Sequence, residues 1–297
     1  MLMKTYLKKI YASRLNSTTV IDANRAWFRI DWIELWQFRD LISMFVEKEF
    51  IARYRQTILG PLWYVIQPLI MSGVLTIVFS KIGGLSTDGV PHLLFYLSAL
   101  VIWGYFTVAF QQTADVLSGS AFMFKKVYFP RLVMPISVVI SKSLVFFTQF
   151  AVFVSLLIYY KFFSSAGDTI HPDIFRIIFL TPIFLMVTAL LSLGLGLAFA
   201  AITVKYKDLS HVLGFFIQLW FYATPIVYPA SKIPEKYQFL FFLNPLVAVI
   251  DGFRTAYLGT VALNPLFLVA ATGFSLLTVV IGLMMFNFIE RDFVDVI

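Results

Sequence analysis

The chain has 297 residues, of which 60% are hydrophobic and only 13% are charged, and its mean hydropathy is +0.86. These values exclude an ordinary soluble globular domain and predict a polytopic membrane protein. The net charge of +7 does not indicate nucleic-acid binding, because the lysines and arginines flank apolar stretches instead of forming one basic stripe. Cysteine is absent, which excludes disulfides and thiolate chemistry.

The first part of the chain is polar and basic. Residues 1–30 contain no uninterrupted apolar core, so we interpret them as a cytoplasmic extension and not as a cleaved signal peptide. In residues 31–55, apolar side chains recur at helical spacing among charged ones, which predicts an amphipathic helix too polar to cross a bilayer. Because the chain then enters an apolar run, we favour a helix that lies at the cytoplasmic membrane surface and contacts a soluble partner over an ordinary surface helix.

Six apolar runs are long enough to cross a hydrocarbon core about 30 Å thick, which takes about 20 helical residues. They are 62–80, 93–113, 132–160, 177–204, 212–228 and 261–289. Since open sheet edges are not tolerated in lipid, we predict an all-α polytopic membrane protein with six transmembrane helices within residues 56–297. Most basic residues lie before the first run and in the loops after the second and fourth runs, so the positive-inside rule places both termini in the cytoplasm.

The two short loops on the predicted cytoplasmic side are compact and basic. The first loop, 115–131, carries the coupling candidates Lys125, Lys126 and Arg131, and the second, 204–211, carries Lys205, Lys207 and Asp208. Short polar elements between long spans suit docking into a groove of a soluble subunit, but they also suit loops that only set the topology. Composition leaves both interpretations open.

The connection before the last span contains an apolar run, 239–250, that is too short to cross the membrane. Asn244 and Pro245 interrupt this run, and Asp251 and Arg254 follow it, which is typical of a re-entrant hairpin. Irregular backbone is tolerated at membrane depth only inside protein or beside a water-filled path. We therefore interpret these four residues as part of an external gate between spans five and six.

The sequence contains no phosphate-binding loop, zinc-protease motif or serine-hydrolase motif, and the three histidines fall in separate segments. We therefore predict no catalytic residue and no metal site. Acidic residues are nearly absent from the predicted spans, so if the chain is a pump, we expect its energy to come from another protein. Lys142 is the one charge inside a predicted span. It either snorkels toward the cytoplasm or faces a water-filled interior.

Aromatic residues make up 18% of the chain, and most of them suit lipid-facing positions and interfacial belts. Aromatic faces can also stack on sugar rings and let a polymer slide without fixed hydrogen bonds. The candidates for lining such a path are Trp63, Tyr64, Tyr96, Trp103, Tyr105, Trp220, Tyr222 and Tyr228.

Four segments in this order resemble the membrane subunits of polysaccharide-exporting ABC transporters, the ABC-2 permeases that carry O-antigen, teichoic acid or capsule precursors. The segments are RYRQTILGPLWYVIQP at 53–68, KKVYFPR at 125–131, ATPIVYP at 223–229 and NPLVAVIDGFR at 244–254. The likeness extends from about residue 32 to residue 289, which is most of the chain.

This resemblance implies an interface helix, coupling loops at Lys125 to Arg131 and Lys205 to His211, and an external hairpin. It also implies a homodimer bound to two ATP-binding cassette subunits, which hold ATP and Mg²⁺, so that this chain needs no cofactor of its own. ATP binding would open a path between the two permeases for a polysaccharide linked to an undecaprenyl-type lipid. O-antigen crossing a bacterial inner membrane is the leading expectation, and teichoic acid or capsule is the alternative cargo.

One alternative comes from a different class, a membrane-embedded transferase or polymerase that acts on a lipid-linked sugar. It predicts an acidic cluster within the membrane or an essential external histidine, and neither is apparent in the sequence.

Overall fold

The computed structural model describes residues 32–54, 62–119, 129–206, 208–234, 236, 241, 243–260 and 264–296. These residues form helices and turns without a strand, so the predicted all-α membrane architecture is confirmed. The predicted extension at 1–30 and the coupling residues Lys125, Lys126 and Lys207 lie outside the described residues.

The α-helices of the described residues are numbered in chain order. They are α1 (Trp32–Gln37), α2 (Arg39–Tyr54), α3 (Trp63–Leu75), α4 (His92–Ala114), α5 (Val116–Gly119), α6 (Val133–Phe163), α7 (Ile174–Lys205), α8 (Leu209–Ala223), α9 (Pro245–Leu258) and α10 (Pro265–Val296). A π-helical segment, Thr76–Ile82, continues α3, and short 3₁₀ turns occupy Ser165–Thr169 and Ala230–Lys232.

Five helical segments of the described chain are long and apolar enough to cross a membrane. They are Trp63–Ile82, His92–Ala114, Val133–Phe163, Ile174–Lys205 and Pro265–Ile289. Each corresponds to one predicted span. A sixth crossing stays a prediction, because the remaining apolar helix, α8, has 15 residues and therefore rises only about 22 Å.

The end of the fifth predicted span at residue 228 is wrong. The helix stops at Ala223, and residues 224–228 form turns. Pro225 has no amide hydrogen to donate and disfavours helical backbone at Thr224, which favours ending the helix here. The carbonyl groups of this turn are consequently free to accept hydrogen bonds from other elements.

The single amphipathic helix predicted over 31–55 is interrupted near its beginning. A turn at Phe38 separates α1 from α2, and the Phe38 carbonyl accepts hydrogen bonds from the amides of Leu41 and Ile42. Leu35, Phe38 and Phe45 are buried, as the apolar face of an amphipathic helix should be. This face packs chiefly against α6, so α2 lies beside a membrane-spanning helix of the same chain.

Helix α4 is the centre of the bundle. Of its most apolar stretch, 78% is buried inside the protein, against 22% in α3 and 22% in α10. Aromatic rings of α4 make edge-to-face contacts with α7 and α8, as in the pairs Trp103–Phe221 and Phe110–Phe199. The core therefore forms around α4, and most of the surface of α3 and α10 faces outward.

Helix α7 joins α4 to α10 through glycines that allow close backbone approach. Gly196 lies against Thr113 of α4, and Gly194 lies against Gly282 and Thr278 of α10. A Cβ atom at Gly194 would lie 2.5 Å from the carbonyl carbon of Thr278. Small residues at helix interfaces are typical of membrane proteins, where association depends on tight packing and not on the exclusion of water.

Candidate functional site

Helix α9 is the part of the predicted external hairpin that the structure describes, and both of its ends are fixed. Asn244 Oδ1 accepts a hydrogen bond from the amide of Leu246, and Asn244 Nδ2 donates one to Thr224 Oγ1 at 2.9 Å. Pro245 occupies the first turn, where its missing N–H costs nothing. At the other end, Gly259 adopts a left-handed conformation with φ 73°, and a Cβ atom there would contact His171.

Arg254 of α9 is buried, with 1% of the residue exposed, and hydrogen bonds surround its guanidinium group. Its Nη1 donates to the Pro225 carbonyl at 2.6 Å, and its Nη2 donates to the carbonyls of Ile226 at 3.0 Å and Phe95 at 3.3 Å. Its Nε donates to Ser98 Oγ at 3.4 Å. The planar fork of an arginine can serve several acceptors at once, which the point charge of a lysine cannot.

Two further contacts stabilise this buried cation. The guanidinium carbon lies 3.6 Å from the centre of the Phe95 ring, and Nη1 lies 4.0 Å from the carboxylate of Asp251. Arg254 thereby ties α9 to α4 and to the turn that follows α8. Since breaking these contacts would leave a charge unpaired in an apolar core, we interpret Arg254 as the fixed anchor of the predicted gate.

A second link joins two loops that the sequence places on the external side. Ser231 Oγ donates to both carboxylate oxygens of Asp88, at 3.1 and 3.0 Å. Asp88 has a φ of 54°, a left-handed conformation that aspartate tolerates better than most residues. The connection between α3 and α4 is thus held to the 3₁₀ turn after α8. The sequence did not indicate this contact, because the two residues are far apart in the chain and lie in unremarkable polar loops.

The eight predicted path residues fall into two groups. Tyr96, Trp103 and Tyr105 are buried in the chain's own core, where the Tyr96 hydroxyl pairs with Ser80 Oγ and the Tyr105 hydroxyl donates to the Val139 carbonyl. The other five are exposed or half-buried, namely Trp63, Tyr64, Trp220, Tyr222 and Tyr228. The structure therefore does not bring the eight together on one surface of a single chain, and only the second group could contact a passing molecule directly.

Helices α3 and α8 both present apolar side chains outward. Trp63, Ile70 and Val74 of α3 are 52%, 60% and 47% exposed, and Phe215 and Tyr222 of α8 are similarly open. Such faces suit either lipid or another protein chain.

The cytoplasmic candidates that the structure describes lie next to helix ends. Arg131 lies two residues before the start of α6, Lys205 ends α7 with its ammonium 5.7 Å from the Tyr206 ring, and Asp208 directly precedes α8. Asp115, between α4 and α5, is exposed, but partial desolvation of its carboxyl group raises the pKa of that group above the usual value. No three of His, Cys, Asp or Glu in the described residues converge to hold a metal ion.

Lys142 is buried against α2 and does not face an open interior of the described chain. Its side chain is 2% exposed, and its Nζ donates to Glu49 Oε1 of α2 at 2.8 Å. The sequence could have suggested this pair, because a lysine within a span needs a counter-charge and the preceding amphipathic helix carries acidic residues. The choice of Glu49 depends on how α2 packs against α6, which the sequence alone does not determine.

Comparison with known proteins agrees with this architecture. A model of the ABC-2 type transporter family matches residues 40–258, from α2 to the end of α9. The chain is 28% identical to the O-antigen export system permease protein RfbA of Myxococcus xanthus, over 75% of this chain and 82% of that protein. It is 25% identical to RfbA of Klebsiella pneumoniae, over 87% of this chain and 95% of that protein. The polysialic acid transport protein KpsM of Escherichia coli is 24% identical, over 81% of this chain and 90% of KpsM. Because the family model covers well over half of its residues, this chain belongs to the ABC-2 type transporter family.

Proposed function

We propose that this chain is the permease subunit of an ATP-driven transporter that exports a lipid-linked polysaccharide, with O-antigen as the leading cargo. The observation that carries this proposal is the similarity to O-antigen export permeases, which extends over 95% of the Klebsiella pneumoniae protein. Both termini would lie in the cytoplasm and the chain in the bacterial inner membrane, in keeping with the distribution of basic residues.

The path for the polymer would form between two copies of the chain. The outward apolar faces of α3 and α8 support this proposal, since a single copy leaves them uncovered. The open aromatic residues Trp63, Tyr64, Trp220, Tyr222 and Tyr228 would stack on sugar rings. The buried residues Tyr96, Trp103 and Tyr105 would not contact the polymer but would support the residues that line the path. Helix α9, anchored by Arg254, would bound the external opening.

The energy would come from two ATP-binding cassette subunits, which would bind ATP and Mg²⁺. Lys125, Lys126, Arg131, Lys205, Lys207 and Asp208 would contact these subunits on the cytoplasmic side. The described members of this set lie at the ends of α6, α7 and α8, so that a displacement there would pass directly to membrane-spanning helices.

A capsule-type polysaccharide is the second candidate cargo. The similarity to the polysialic acid transport protein KpsM favours it, because that match covers 81% of this chain. Teichoic acid is a third member of the same chemical class.

The decisive experiment locates lipid-linked polysaccharide in cells depleted of this chain. We expect full-length polymer to accumulate on the cytoplasmic face and to disappear from the surface. Normal surface polymer would contradict the proposal. Loss of polymer from both faces would favour the transferase alternative, unless vesicles that contain the purified chain and its ATP-binding subunits move the polymer when ATP is added. Sugar analysis of the accumulated polymer would identify the cargo.

A further inference from the structure

A buried lysine inside a membrane-spanning helix needs a structural or functional reason. Lys142 lies about 13 Å along α6 from the cytoplasmic start of that helix at Val133. Its charge is 2% exposed and is paired with Glu49, whose side chain is 40% exposed. Glu49 thus reaches from the partly open surface of α2 to a charge inside the protein.

The apolar contacts between α2 and α6 hold the two helices together by packing. Burial of apolar surface is non-directional, so it specifies the axial alignment of two helices less strictly than a charge-assisted hydrogen bond does. A charge-assisted hydrogen bond is directional, and separating Glu49 from Lys142 inside the protein would take a carboxylate partner away from a buried cation. The Glu49–Lys142 pair therefore fixes the register of α2 on α6.

A second contact places this pair beside the predicted coupling loop. The ring of Phe45, one helical turn before Glu49, lies 5.8 Å from the ring of Phe129. Phe129 lies between the coupling residues Lys126 and Arg131 and is itself buried. Helix α2 therefore touches the end of the coupling loop at Phe129 and the interior of the span at Lys142.

We propose that the Glu49–Lys142 ion pair is the mechanical link through which the amphipathic helix α2 moves the span α6 during transport. This inference rests on the proposed function, because it supposes that ATP-binding subunits displace the cytoplasmic elements. Glu49 and Lys142 are positioning residues in this scheme and do not contact the polymer. Without the pair, α2 would slip over α6 and ATP would be hydrolysed without a matching movement of the span.

The test compares single variants with a charge exchange. Lys142→Met and Glu49→Gln each break the pair, Lys142→Arg keeps a cation, and the double variant Glu49→Lys/Lys142→Glu restores a pair of opposite sign. Arg176→Met is the matched control, because it removes an ion pair with Asp173 that lies within the start of one helix and joins no two elements. The full chain is co-expressed with the ATP-binding subunits of its own organism, and assembly, ATP turnover and polymer export are measured.

We expect the single variants to assemble and to hydrolyse ATP, while the amount of polymer exported per ATP falls about tenfold. The Lys142→Arg variant and the charge exchange should recover most of this ratio, and the Arg176→Met control should keep it. Normal export per ATP in both single variants would overturn the proposal. Loss of assembly or export that the charge exchange does not recover would also overturn it, because that result indicates a purely structural role.

A second measurement separates this inference from the proposed function. The chain contains no cysteine, so Ser43→Cys on α2 and Ile140→Cys on α6, both at exposed positions, can carry spin labels without further engineering. We expect a narrow distance distribution that Lys142→Met broadens and Arg176→Met does not. An equally narrow distribution in Lys142→Met would overturn the link even if export is established. If the wild-type complex exports no polysaccharide, the proposed function fails while the distances still report on the α2–α6 contact.

Discussion

At the scale of single residues, Arg254 shows how a charge is accommodated in an apolar core. Its acceptors include the carbonyls of Pro225 and Ile226, which are available because Pro225 ends α8 and leaves them outside any helix. The helix break and the buried cation therefore depend on each other. Removing either one would leave buried polar groups without partners, which costs more than the hydrogen bonds themselves contribute.

We predict that Arg254→Met lowers the free energy of unfolding by about 3 kcal/mol, because the carbonyls of Pro225 and Ile226 would lose their donor. Arg254→Lys should recover only part of this loss, since one ammonium group cannot serve the same acceptors. Equilibrium unfolding of the purified protein in mixed detergent micelles would measure both effects. The control is Arg176→Met, whose partly exposed ion pair should contribute about 0.5 kcal/mol or less. Equal losses at the two arginines would contradict the assignment of Arg254 as an anchor.

At the scale of elements, the contact between α7 and α10 depends on glycine at two facing positions. The backbones of Gly194 and Gly282 touch, so that a methyl group on either residue would meet main-chain atoms of the other helix. Main-chain atoms of a packed helix cannot move aside as a flexible side chain can. The short distance between α7 and α10 therefore requires residues without a side chain at positions 194 and 282.

We predict that Gly282→Ala lowers the free energy of unfolding by about 1–3 kcal/mol, because the added methyl group would push α10 away from Gly194. Gly273→Ala on the same helix is the matched control, since a Cβ atom there has nothing within 4 Å. Without a clash, alanine should stabilise the helix by about 0.5–1 kcal/mol. The same unfolding assay would measure both variants, and a loss of stability at Gly273 equal to that at Gly282 would refute the packing argument.

At the scale of the whole molecule, burial is distributed unevenly among the spans. Helix α4 is enclosed by the chain's own helices, whereas only 22%, 28% and 22% of the most apolar stretches of α3, α6 and α10 are buried. An aromatic residue on α4 and one on α3 thus have different surroundings, although both belong to the predicted path set. This difference separates residues that support the fold from residues that could meet a polymer.

We predict opposite consequences for two tryptophan substitutions. Trp63, which is 52% exposed, should tolerate alanine with little change in stability, whereas polymer export should slow by about threefold to tenfold through loss of a stacking surface. Trp103, which is 7% exposed and packs on Phe221, should lose about 3–5 kcal/mol of stability when changed to alanine. Unfolding and export measured on the same preparations would test the pair. Unchanged export in Trp63→Ala would contradict the path assignment and indicate that Trp63 belongs to the aromatic belt at the membrane interface.

The sequence predicted most of the helices because a bilayer demands a long apolar run, and five such runs became helices of the expected length. It also indicated the interruption at Asn244 and Pro245, since both residues have strong local preferences at a helix start. The predicted end of the fifth span at residue 228 was wrong, because the prediction followed apolar composition and did not consider Pro225. Length and hydropathy alone therefore overestimate the length of a span that ends at a proline.

The contacts that connect distant segments were not predictable. Glu49 and Lys142 are separated by 93 positions, and Arg254 bonds to groups up to 159 positions away. The burial of Tyr96 and Tyr105 was likewise hidden, because an aromatic residue in a span looks the same whether it faces lipid, a path or the core. Such choices depend on which helices pack together, and periodicity within one segment does not carry that information.

The position of Arg254 in the chain has a consequence for how the protein is made. Every group that the structure shows around its guanidinium, from Phe95 and Ser98 to Pro225, Ile226 and Asp251, comes earlier in the sequence. Because a chain is synthesised from its N-terminus, all of these groups have left the ribosome before the arginine does. The guanidinium group can therefore bind its final acceptors as soon as it leaves the translocation machinery, without first being exposed unpaired to lipid. Helix α10 is then inserted last and packs on a helix α9 that Arg254 already holds in place.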